Sequence, residues 1–78
     1  MAITSAERLS WLRGITFSGK ARQIRECARL SQADVARSVG ADQSTVARWE
    51  RGERVPRGAP ALKYALLLDR LQSVELAS

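Results

Sequence analysis

Residues 32–51, QADVARSVGADQSTVARWER, decide how this 78-residue chain is read. The stretch has the pattern of two short helices joined by a tight turn. Ser31 just ahead of it, with Asp34 three positions on, is a reciprocal amino-cap signal. In the helix that follows, Val35 and Val39 turn inward, and Ala36 is small where a second helix must cross closely. Gly40 admits the positive φ that lets a chain reverse within about three residues. Asp42 can cap the next helix, which runs to Gly52. On it Val46, Trp49 and Glu50 share one side. The opposite side presents Ser44, Arg48 and Arg51, with Gln43 at the amino end and Thr45 at the flank. A helical face of hydrogen-bonding groups free of large apolar residues is what the major groove of double-stranded DNA requires.

Outward from this unit, helix punctuation is dense and strand signals are nearly missing. Thr4 with Glu7 forms a capping box, and Gly14 can end the helix that follows. Ala6, Leu9 and Leu12 share one face of it, while Trp11 points the other way. Ser18 can cap a second helix whose stripe is Ala21, Ile24, Cys27 and Ala28. After the central unit comes a basic loop, residues 53–58, which Pro56 and Gly58 keep out of regular structure. Pro60, at a first helical position, opens a fifth helix through about Leu71. The expected fold is all-α with five helices in one domain. Residues 1–17 read as an extension docked on a core of residues 18–72, with 73–78 as a tail that frays.

Composition narrows the partner. A chain of this length buries about 60–65% of its unfolded surface, so its stability is modest or shared. It carries 13 Lys and Arg against 8 Asp and Glu, and eleven of the thirteen are arginine. Such an excess attracts polyanions, nucleic acid before an anionic membrane surface, because arginine suits phosphates and guanine edges. Cys27 is the single cysteine and histidine is absent. No intrachain disulfide, no cysteine/histidine zinc site and no histidine general base can therefore be built, and neither cofactor nor metal is expected. No apolar run approaches the ~18–20 residues of a membrane span, and Met1 opens no signal-peptide pattern. The chain reads as cytoplasmic and non-enzymatic.

The residues Leu30-Ser31-Gln32, Val35-Ala36, Gly40, Gln43-Ser44-Thr45-Val46, Arg48-Trp49-Glu50-Arg51-Gly52 and Pro56 resemble, in fixed register, the helix-turn-helix of the phage repressor/Cro family. That family is also called the xenobiotic-response-element family. The resemblance covers roughly residues 24–66. It implies a lambda-repressor-like DNA-binding fold. It further implies that Gln43, Ser44 and Arg48 read base edges and that Gln32 holds a phosphate, often while bonded to Gln43. Thr45 matches a backbone-contacting position and is counted with Gln43, Ser44 and Arg48 as a base-reading residue. Arg54 and Arg57 match a loop that grips phosphates.

Other readings remain open from the sequence. Trp49 is core by its shared face with Val46, and Glu50 pairs within the domain with Arg25 or Arg54. Cys27 is a small buried hydrophobe. Arg51 either reaches a phosphate or serves the carboxyl end of its helix. Arg22 and Arg37, near the starts of helices around the motif, are further phosphate candidates. The last helix shows two apolar stripes. Leu62, Ala65 and Leu66 pack beneath the motif, while Tyr64, Leu67, Leu71 and Val74 are left for a dimer interface, unless the first helix folds back over them with Leu9, Leu12 or Trp11. The implied function is a homodimeric repressor that occludes a promoter over an inverted-repeat operator. The competing function is an antitoxin that binds a toxin partner through its terminal helices and regulates its own gene.

Overall fold

The computed structural model describes the backbone of residues 2–77 and the side chains of residues 2–73. Five helices follow in order: α1 (Ser5–Phe17), α2 (Lys20–Cys27), α3 (Gln32–Val39), α4 (Gln43–Glu50) and α5 (Gly58–Ala77). No strand occurs among the described residues.

Two helices begin as their sequences require. In α1 the Glu7 amide donates to Thr4 Oγ1 and the Thr4 amide to Glu7 Oε1, both at 3.1 Å. In α3 the Ser31 amide donates to Asp34 Oδ2 at 2.9 Å and the Asp34 amide to Ser31 Oγ at 3.0 Å. The backbone donors hold both carboxyls below their ordinary range. Such caps stabilise the fold above that range and lose the contribution as pH falls through it.

α1 does not stop at Gly14. It continues to Phe17, because Ile15 and Thr16 still have the core to pack against. The left-handed residue that ends it is Gly19, at φ 84°. Ser18 sits between the two helices as the carboxyl cap of α1. Its hydroxyl donates to the Ile15 carbonyl at 3.3 Å and accepts from the Lys20 amide at 3.4 Å, while Gly19 occupies the cap position of α2. On α2, Ala21 and Ile24 are buried, but Cys27 is exposed, contrary to the expected stripe. Six positions from Ala21 is about 240° around a helix, so Cys27 leaves the inward face and Arg25 joins it.

The turn between α3 and α4 forms as expected. Gly40 sits at φ 74° and the Ala41 amide donates to the Ala36 carbonyl at 3.0 Å. Val35, Ala36 and Val39 meet Val46 and Trp49 in the core. Asp42 occupies the amino cap of α4 with its backbone alone, since its side chain makes no capping bond.

α5 differs most from expectation. It extends past Leu71 to Ala77, and one buried stripe of Ala61, Tyr64, Ala65 and Leu68 replaces the two stripes read from sequence. Tyr64, expected on an outward dimer stripe, is fully buried; its ring stacks on Trp49 with centroids 5.0 Å apart and planes 24° apart. Leu67 and Leu71 are partly buried against the same core, and Leu66 faces solvent. The side chain of Val74 lies outside the described residues. The consecutive leucines 66–68 admit several helical phases, and α1 with Trp49 selects one. The first helix folds back along α5, burying Leu12 completely and Leu9 and Trp11 in part. Arg8 stands 4.0 Å from Asp69 across that seam.

α1 is thus built into the core. Leu12→Ala should cost about 2–5 kcal/mol, read from the urea midpoint of unfolding. A loss below about 1 kcal/mol would make α1 peripheral.

Candidate nucleic-acid interface

The candidate site is the outer face of α3 and α4 with the loop after them. Its geometry starts inside the molecule, at Arg25. The Arg25 side chain meets Glu50 through two bonds, Nε to Oε2 at 2.5 Å and Nη2 to Oε1 at 3.0 Å. A third donor, Nη1, reaches the Leu30 carbonyl at 2.9 Å. Glu50 Oε1 also accepts from Gln32 Nε2 at 3.0 Å. The two charged side chains are only 10% and 2% exposed. Hydrogen bonding by Glu50 raises the guanidinium pKa still further, so Arg25 stays charged. One carboxylate therefore ties the end of α4 to α2 and to the first turn of α3. A fork of this kind needs arginine's planar donors; a lysine would make fewer of these bonds.

The consequence for the outer face is electrostatic. With Glu50 turned inward, no acidic side chain stands among the exposed residues of α4. Gln43, Ser44 and Arg48 are exposed, and Thr45 is half-buried at the edge of a groove of about 630 Å³. That groove runs from the Gly40 turn past Trp49 to Arg54 and Arg57. Both loop arginines are exposed and form no ion pair among the described residues.

The remaining sequence-derived phosphate candidates each hold a carboxylate on the protein's own surface. Arg22 is 3.4 Å from Glu26, Arg37 is 2.7 Å from Asp34, and Arg51 is 2.7 Å from Glu53. Those arginine side chains are 60–75% exposed, so the pairs are weak and exchangeable. Gln32 bonds to Glu50 and not to Gln43. That bond anchors its carboxamide to the buried pair and leaves Gln43 facing solvent.

Two features escaped sequence reading. Of the two arginines offered for Glu50, the structure selects Arg25, and the extra Gln32 bond had no sequence signal. Nor did the Trp49–Tyr64 stack, which joins residues on different helices. Burial raises the Tyr64 phenol above its ordinary range, and the hydroxyl has no hydrogen-bond partner among the described residues. The ring packs where the neighbouring Arg25 and Glu50 are desolvated.

A family model of a helix-turn-helix domain matches residues 16–72. No curated protein and no solved structure matches the chain.

Glu50→Ala strands the Arg25 charge in the interior. The variant should lose about 3–5 kcal/mol in urea unfolding. Arg37→Ala, which breaks an exposed pair, should lose under about 1 kcal/mol. Equal losses would deny the buried pair its central place.

Proposed function

The chain belongs to the helix-turn-helix domain family, and from that membership we propose that it reads double-stranded DNA as a transcription regulator. The observation that carries the proposal is the outer face of α4. It offers Gln43, Ser44 and Arg48 to a groove, with Glu50 locked away from it by Arg25. In this mode α4 lies in the major groove and α3 crosses the sugar–phosphate backbone. Arg48 is the side chain suited to a guanine, through two bonds to O6 and N7. Ser44 and Gln43 supply further base contacts near the amino end of α4, and Thr45 rests on the adjoining backbone. Gln32 is steadied by Glu50 for a phosphate at the start of α3.

The grip comes from cations around this centre. Arg54 and Arg57 flank the carboxyl side of α4, while Arg22, Arg37 and Arg51 can trade a surface carboxylate for a phosphate. Phosphate contacts position the domain without reading sequence. A single short helix reads too few base pairs to define a site, so the proposed assembly is a homodimer over an inverted repeat. Repression by occlusion of a promoter, in the manner of phage Cro-type regulators, is the simplest output of a domain that acts by occupancy.

Selection of bound DNA from a random pool, with binding measured against salt, tests this reading. Arg48→Ala should relax preference at one symmetric position, worth about 1–3 kcal/mol. Arg54→Ala and Arg57→Ala should weaken all sequences alike, each lowering the log–log salt slope by about 1. A flat salt dependence in the unaltered protein would refute phosphate-driven binding.

A further inference from the structure

The largest exposed apolar side chain stands away from the outer face of α4. Phe17, at the carboxyl end of α1, is 89% exposed, and Val55 in the loop after α4 is 48% exposed. Together with Pro56 they line an open, mainly apolar groove of about 430 Å³. Gly14 and Gly52 leave bare backbone there, with open space where a Cβ would stand. Arg13 and Arg54 border the groove, and no carboxylate lines it. Neither arginine has an ion pair among the described residues. α1 buries Leu12 and Ile15 yet leaves its terminal phenyl ring in water, where it joins the exposed Val55 along one groove.

We propose that this groove docks an acidic amphipathic segment of a partner protein. An apolar side chain of the segment packs on Phe17 and Val55, above the buried Pro56, and flanking carboxylates meet Arg13 and Arg54. Charge selects this occupant over a second copy. A second copy brings another chain of net charge +5, and across a two-fold axis it sets the same two arginines against each other. An acidic segment neutralises both.

Arg54 gives the docking a consequence, because it also lines the groove beside Thr45 and Trp49. A partner carboxylate on Arg54 withdraws that side chain from phosphate. Segment and DNA then bind antagonistically, by one reciprocal factor. This coupling rests on the DNA reading above; the docking itself does not.

The probe is a short fluorescein-labelled helical peptide with Leu and Trp on one face flanked by Glu, set against a version with Lys for each Glu. Anisotropy titrations with the full chain should show saturable binding of the Glu peptide alone. Phe17→Ser should weaken it about tenfold or more, with the helical circular dichroism and the DNA affinity unchanged. Arg13→Glu should weaken it as well. Saturating Glu peptide should lower DNA affinity by the factor with which DNA lowers peptide affinity, and Arg54→Ala should abolish that coupling. Equal binding of the two peptides, or no effect of Phe17→Ser, would overturn the docking. So would self-association in sedimentation that Phe17→Ser abolishes, which assigns the groove to a second copy. Absence of DNA binding would overturn the DNA reading and the coupling, while the peptide titrations still decide the docking.

Discussion

The pairing of Arg25 with Glu50 is the constraint on which the rest of the molecule turns. A carboxylate and a guanidinium, both nearly excluded from water, persist only with good geometry and extra hydrogen bonds. The structure provides both: a two-bond fork, a backbone carbonyl for the third guanidinium donor, and Gln32 as a second donor to the carboxylate. These bonds reach α2, the loop before α3, the first turn of α3 and the last turn of α4. An apolar contact could hold the same elements together but would tolerate sliding. A fork does not, since displacement by an ångström breaks two directed bonds at once. The orientation of α4 relative to α3 is thereby set by chemistry as well as by the Gly40 turn.

Around that pair the core is organised by one aromatic contact. Trp49 comes from α4 and Tyr64 from α5, and their stacked rings lie beside the buried charges. Large flat side chains suit this position because they exclude water from the ion pair on one side and meet aliphatic residues on the other. Leu12 and Leu68 extend the same core to the α1–α5 seam. α1 lies almost wholly ahead of the segment matched by the helix-turn-helix model, yet it supplies Leu12 to the core. The helix-turn-helix segment and its amino-terminal helix consequently share one hydrophobic core.

What was legible in the sequence depended on the range of the interaction. Both capping boxes, the left-handed Gly40 and the inward faces of α3 and α4 follow from residues within four positions of each other. Those features appear in the structure where the sequence placed them. The errors arose where a distant partner decided. Gly14 is a local stop signal that tertiary packing of Ile15 overrides. The phase of α5 is undetermined by its own run of leucines, and only packing against α1 and Trp49 turns Tyr64 inward. The apolar stripe of α2 is too wide for a helix face, and Cys27 falls outside the buried part of it. Within the candidate site, the exposure of Gln43, Ser44 and Arg48 was readable from helical spacing. The Gln32–Glu50 bond was not, because eighteen residues separate its partners.

The arginines of this chain also show why net charge overstates a binding footprint. Arg25 is consumed by the interior and is unavailable to any ligand. Arg22, Arg37 and Arg51 are neutralised on the surface, but by carboxylates that remain hydrated. Breaking such a pair costs little, and the released carboxylate returns to water without penalty. On the proposed function, these three cations are held in reserve and change partners when a phosphate arrives. Arg54 and Arg57 need no exchange. The proposed function thus makes phosphate affinity graded around α4: immediate at the loop, conditional at Arg22, Arg37 and Arg51, and absent at Arg25. The groove at Phe17 touches this gradation at its strongest point, since Arg54 borders both surfaces. If both proposals hold, a ligand on either surface competes for one of the two loop cations, and Arg54 is the position where a second partner has the greatest leverage over DNA.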